Sequence, residues 1–200
     1  LTVIDKERGG KSDALNAGIN AARHPVFCTV DADSILDADA LSRIARVLAE
    51  DPRVVAAGGI IRVLNGARLA AGRVVAGGAP RRPLLLCQGL VHARAFPAWR
   101  SSLARLDSLL IIAGAGGLFR RDAVVAAGGF AGDTVCEDME LVLRLHRRAF
   151  DRGEPRRVVF VPDPVCWTQV PSDWASLARQ RDRWQRGLVP SLRKQRRMLL

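Results

Sequence analysis

Two hundred residues, 48% hydrophobic and 26% charged with 18 Gly and 10 Pro, are enough for about one domain with a sizeable core, and exclude a disordered tail, a collagen-like repeat and a disulfide mini-protein. The longest uncharged run, residues 108–119, is too short to cross a bilayer, which takes about 20 apolar residues. The net charge of +11 is concentrated, since residues 60–100 and 179–197 each carry +7 and the remainder is net negative, a distribution suited to phosphate, nucleic acid or an anionic membrane surface.

The start, Leu-Thr-Val-Ile-Asp, has neither an initiator Met nor the parts of a signal peptide, and reads as the cut edge of a longer chain. Spacing four and seven of Leu15, Ile19 and Ala22 predicts a helix over 11–23, stopped by Pro25, and 26–30 reads as a buried strand. A helix is expected from about Asp37 to before Asp51-Pro52, with Leu41, Ile44, Ala45 and Leu48 inward, followed by a strand over 54–61. Residues 79–99 mix apolar positions with Arg81, Arg82 and Arg94, as an amphipathic surface element does. Residues 109–113 read as a strand, 122–127 as a short helix and 137–150 as a helix burying Leu141, Leu145 and Ala149. A strand over 158–161 and a last helix from Ser172 or Asp173 complete an α/β alternation. Cys28, Cys87, Cys136 and Cys166 form no CxxC pair, so no zinc knuckle or disulfide framework is expected and reduced, cytosolic thiols are the default.

Four constellations carry chemistry. Asp31-Ala32-Asp33 follows a strand directly. At the end of a buried parallel strand, its carboxylates would hold Mg²⁺ or Mn²⁺ in the ligand crevice of an open α/β sheet, or would merely form an Asx turn or helix cap toward Ser34. Glu137 and Asp138 open a helix, either as caps and dipole complements or with Glu137 capping and Asp138 pointing outward as a general base. Gln180, Arg183 and Trp184 share one helix face, which suits a diphosphate and a sugar ring, unless the Trp is simply buried. Gly9-Gly10-Lys11-Ser12 lacks the earlier glycine of a Walker loop, since that position is Asp5. What remains is a Gly-rich turn with Lys11 near a helix start, able to touch phosphate or to lie in solvent.

The ordered set Gly9-Gly-Lys-Ser-Asp-Ala-Leu-Asn-Ala-Gly18, Val30-Asp-Ala-Asp33, Gly114-Ala-Gly-Gly-Leu-Phe-Arg-Arg-Asp122, Cys136-Glu-Asp-Met-Glu-Leu141 and Gln180-Arg-Asp-Arg-Trp184 resembles the processive, membrane-embedded family 2 glycosyltransferases. That group includes bacterial cellulose, hyaluronan and poly-N-acetylglucosamine synthases, and the likeness runs from about Val3 to Met198. It implies a GT-A fold, a mixed central sheet with helices on both faces. The family's first nucleotide-binding strand would lie upstream, so residues 1–190 would be an N-terminally incomplete core and 191–200 a basic juxtamembrane segment. The implied reaction is inverting transfer from a UDP-sugar to a growing polysaccharide acceptor. Asp31 and Asp33 would hold the donor diphosphate with Mg²⁺ or Mn²⁺, and Lys11 would lie on the nucleotide side. Asp138 would deprotonate the acceptor, while Gln180, Arg183 and Trp184 would form the acceptor and diphosphate platform. The basic end would lead into membrane helices at the cytoplasmic face of a bacterial inner membrane, and this stretch alone is expected to be inactive. The contexts 167–171 and 179–188 look more like poly-N-acetylglucosamine synthases than cellulose synthases, which favours UDP-N-acetylglucosamine. Departures fall at Val91-His92 where Glu-Tyr is frequent, at Gly116 where an aromatic is usual, and at Cys136 in place of Gly or Thr. Two rival readings are a nucleic-acid-binding module, which 5% aromatics and no Tyr disfavour, and an inert surface-binding domain, which leaves the acids unexplained.

Overall fold

A computed structural model describes residues 1–78, 80–94 and 99–196. The chain order is α1 (Gly10–Ala21), β1 (Val26–Thr29), β2 (Ser34–Leu36), α2 (Ala40–Glu50), β3 (Val54–Val63), β4 (Arg68–Ala70), β5 (Arg73–Ala76), α3 (Pro83–Arg94), α4 (Ser101–Arg105), β6 (Gly117–Arg120), α5 (Arg121–Ala126), α6 (Glu137–Arg152), β7 (Arg157–Thr168) and α7 (Trp174–Lys194). Five strands form one mixed sheet in the order β1-β6-β3-β7-β2, in which β3 and β7 are parallel and the other neighbours antiparallel. The six residues from Val54 to Gly59 are all buried although their side chains alternate between faces, so both faces of β3 are covered. The α/β architecture expected from the sequence is therefore present.

Local patterns account for most elements. Leu141, Leu145 and Ala149 bury one stripe of α6, and Gly153 ends that helix in the left-handed conformation. The Asp173 carboxylate accepts the Ser176 N–H at 2.8 Å and caps α7. β4 and β5 are joined by Ala71 and Gly72, both at positive φ, the geometry of a two-residue hairpin turn.

Several expectations are corrected. Residues 109–113 form no strand: Leu109 and Ile112 are buried as plugs, and a Cβ on Gly58 or on Gly117 would come within 2.7 Å of Ile112 Cγ2. The strand starts only at Gly117, and the Leu109 carbonyl lies 2.9 Å from His146 Nε2 instead of joining a ladder. In α2 the buried stripe is Ala40, Ile44 and Leu48 with Val47 beside it, whereas Leu41 and Ala45 face solvent. β1 is neither fully buried nor parallel; it lies at an edge of the described sheet, antiparallel to β6. The amphipathic element at 79–99 takes shape as α3, with Leu85 and Gln88 buried and Leu86 and Leu90 exposed; residues 79 and 95–98 lie outside the described ones, as does Arg197 of the basic end.

Candidate active site

The site assembles where three segments meet over the end of β1. The loop before β6 crosses that end, its Gly116 N–H donating to the Thr29 carbonyl at 2.8 Å, and so sets Gly114 beside Asp31. Gly10 opens α1 at φ 88, a value a side chain rarely permits. Two polar side chains then fix α1 on the loop ahead of α6. Ser12 Oγ donates to the Ala131 carbonyl at 2.8 Å, and the Asn16 amide both donates to the Phe130 carbonyl at 2.9 Å and accepts its N–H at 2.8 Å. Gly129 leaves room for that amide, because a Cβ there would lie 2.5 Å from Asn16 Oδ1.

This anchoring carries Lys11 into a bridge. Its Nζ lies 2.8 Å from Asp31 Oδ1 and 2.9 Å from Glu137 Oε1. Burial alone would lower the Lys11 ammonium, but the hydrogen bonds and charges of Asp31 and Glu137 outweigh it and hold its pKa above the ordinary value. Asp138 turns inward next to it: its Oδ2 accepts the Gly114 N–H at 3.2 Å and its Oδ1 the Met139 N–H at 2.8 Å. Burial, helped by the Glu137 charge, raises the Asp138 pKa against the opposing pull of those N–H groups and Lys11. Gly114 is the point of convergence. A Cβ added there would meet Lys11 Nζ at 3.1 Å and Oδ2 of both Asp138 and Asp31 at 3.8 Å.

α7 is seated on the first turn of α6 through Gly187, where a Cβ would lie 2.2 Å from Cys136 Sγ. The Cys136 thiol faces the carbonyls of Trp184 at 3.7 Å and Arg183 at 4.0 Å. Burial, with the charges of Asp138 and Glu137, pushes that thiol pKa up. The Trp184 indole is 40% exposed, so the reading of a simply buried Trp does not hold, and the Arg181 guanidinium covers its ring at 4.5 Å. Gln180 is half-buried and Arg183 exposed. On the same side, burial pulls the Arg100 guanidinium down to about 10 against the Asp138 charge. Burial and the charges of Arg181 and Arg100 lower the His92 imidazole.

The structure thus brings Lys11, Asp31 and Asp138 together and leaves Asp33 exposed, in loose contact with the Ser34 hydroxyl at 3.5 Å. Glu137 does not cap α6 and Asp138 does not point outward; pairing with Lys11 and the Gly114 N–H draws both carboxylates toward the sheet end. Sequence reasoning missed Glu137 as an ion-pair partner, Gly114 as the centre of the cluster, Gly187 as a packing contact and Arg181 as the cover of Trp184. The clues lay in a glycine run after an apolar segment and a lone glycine within a helix. Among the described residues no group of three His, Cys, Asp or Glu side chains forms a metal cage. Asp31 and Asp33 carry carboxylate oxygens of the hard kind that, one or two at a time and together with substrate phosphates, suit Mg²⁺ or Mn²⁺. Cys28 and Cys166 are unsuited to nucleophilic work, since burial pushes their thiols to about 11 and about 12.

The family model described as Glycosyltransferase like family 2 matches residues 1–187. The chain belongs to this family. It is 29% identical over 182 residues to the poly-beta-1,6-N-acetyl-D-glucosamine synthase of Staphylococcus aureus, covering 91% of this chain and 39% of that protein. It is 27% identical over 180 residues to the probable glycosyltransferase YdaM of Bacillus subtilis, covering 89% and 38%. The chain therefore spans under half the length of these curated relatives. Among solved structures, a mannosyltransferase from Pyrobaculum calidifontis in complex with GDP-Man and Mn2+ superposes with a TM-score of 0.63 at 24% identity over 98% of this chain and 46% of that one. That likeness bears out the GT-A fold.

Proposed function

We propose that this glycosyltransferase carries the donor site and catalytic base of an inverting enzyme that moves a sugar from a UDP-sugar to a growing β-linked polysaccharide. The observation that carries the reading is the convergence of Asp138, Lys11 and Asp31 around Gly114, with an exposed Trp184 on the neighbouring helix. UDP-N-acetylglucosamine is the favoured donor, supported by the relatedness to a poly-N-acetylglucosamine synthase.

Each role follows from position and charge. Asp138 is backed by two N–H groups and surrounded by enough protein to raise its pKa, so as a carboxylate it accepts a proton more readily than an open Asp would. It would take the proton from the acceptor hydroxyl as the new glycosidic bond forms. Lys11, whose side chain is about half exposed, would turn to the leaving diphosphate, and Arg183 would face the same charge from α7. The Trp184 ring offers an apolar face to the acceptor sugar, its tilt limited by Arg181. Asp31 and Asp33 would hold Mg²⁺ or Mn²⁺, which when bound offsets the charge of the leaving diphosphate.

The exposed Leu86 and Leu90 of α3 and the basic end of α7 support a place at an anionic membrane surface, on the cytoplasmic face of a bacterial inner membrane. Among the described residues no helix is long and apolar enough to cross a membrane.

The test is UDP calorimetry with and without Mn²⁺ on this chain, beside a UDP-N-acetylglucosamine transfer assay on the full-length protein. Asp33→Asn should weaken the metal-dependent part of UDP binding. Asp138→Asn should keep UDP affinity and lower turnover by about 10²- to 10⁴-fold. UDP binding indifferent to Mn²⁺, or a folded Asp138→Asn protein with near-normal turnover, refutes the assignment.

A further inference from the structure

Lys11 makes two contacts with different consequences. The pair with Glu137, whose side chain is only 12% exposed, joins α1 to the first turn of α6. The pair with Asp31, 38% exposed, places a positive charge 2.8 Å from a carboxylate that the proposed function gives to a divalent cation. Gly114 allows this close approach, since a Cβ there would stand only 3.1 Å from Nζ. Two cations cannot both sit in contact with Asp31 without strong mutual repulsion.

We infer that Lys11 is a built-in counter-ion, occupying the cation position beside Asp31 until the donor's diphosphate draws it away, so that nucleotide opens the site to the divalent cation. The inference rests on the proposed donor and metal roles of this site. The exchange needs only a side-chain rotation. α1 is held by Ser12 and Asn16 on the 130–131 loop, independently of Lys11, so its backbone stays in place while the four-carbon stem swings. A diphosphate offers the ammonium an anionic partner in return for the one it gives up, and Glu137 keeps the stem near the site.

The bland alternative is that Lys11 simply ties α1 to α6. It predicts that neutralising Lys11 lowers stability and leaves metal affinity unchanged or weaker. The inference predicts the opposite sign: Lys11→Met should bind Mn²⁺ in the absence of nucleotide roughly tenfold more tightly than the parent, through loss of a nearby like charge. The same variant should bind UDP more weakly, and the enhancement of Mn²⁺ binding by UDP should shrink. Lys11→Arg keeps the charge, so its Mn²⁺ affinity without nucleotide should stay below that of Lys11→Met, and Lys11→Gln gives a second neutral variant.

Mn²⁺ titrations read by electron paramagnetic resonance and calorimetry, with and without UDP, decide the matter, and thermal unfolding confirms that each variant is folded. Folded neutral variants whose Mn²⁺ affinity without nucleotide equals or falls below the parent's overturn the inference alone, provided the parent binds UDP with Mn²⁺. A parent chain that takes up neither UDP nor Mn²⁺ overturns the proposed function and the inference with it.

Discussion

Alanine at position 187 measures how tightly α7 is seated on the start of α6. In an open helix, Gly→Ala gains about 1 kcal/mol through helix propensity. At Gly187 the new methyl would lie 2.2 Å from Cys136 Sγ, 2.5 Å from its Cβ and 3.2 Å from its backbone N. The thiol can rotate away, but the Cβ and the backbone cannot, so α7 must move outward. Overpacking of this kind costs about 2 kcal/mol, which outweighs the propensity gain and leaves a net loss of about 1 kcal/mol. The shift also moves Trp184 and Arg183, whose carbonyls face the same thiol, and a misplacement of about 1 Å near the chemistry costs about 10² in rate. Gly89 in α3 is the control, since a Cβ there meets nothing within 4 Å, and Gly89→Ala should stabilise by about 1 kcal/mol. Urea unfolding of the two single variants and of Gly187→Ala with Cys136→Gly, which removes the two nearest clashing atoms, completes the comparison. Stabilisation by Gly187→Ala equal to that by Gly89→Ala would refute the close seating of α7.

The raised pKa of Asp138 sets a sign for the pH dependence of transfer. The base works only when deprotonated, so the rate should fall as pH drops through that raised value, giving an acid limb above the ordinary Asp value of about 3.9. A pH profile of transfer with its acid limb at or below the ordinary value contradicts the enclosed carboxylate. For the membrane surface, Arg193→Gln with Arg196→Gln should weaken sedimentation with anionic vesicles by about 2 kcal/mol, about 1 kcal/mol for each charge, and leave UDP binding unchanged. Lys194 is left intact because it holds Asp133 at 2.6 Å and so anchors α7. Equal partitioning of variant and parent rejects that surface.

The amino-acid pattern by itself determined the α/β alternation, the helix at Glu137 with its stripe of Leu141, Leu145 and Ala149, and a strand just ahead of Asp31, because runs of apolar residues and burial on one face of a helix are written in local periodicity. The order of the acidic and basic motifs pointed to the right family for the same reason, since each motif is short and contiguous. The short β4–β5 hairpin escaped notice because its strands of three and four residues are mostly exposed and too brief to show a period. Residues 109–113 looked like a strand because their apolar content was legible, whereas the glycines that receive Ile112, Gly58 and Gly117, belong to other segments. Only the folded chain decided that Lys11 would meet Glu137, that Asp138 would turn inward to the Gly114 N–H and that Gly187 would admit Cys136. Those are contacts between residues far apart in sequence, fixed by the packing of α1, α6 and α7 around the sheet, and no local spacing encodes them.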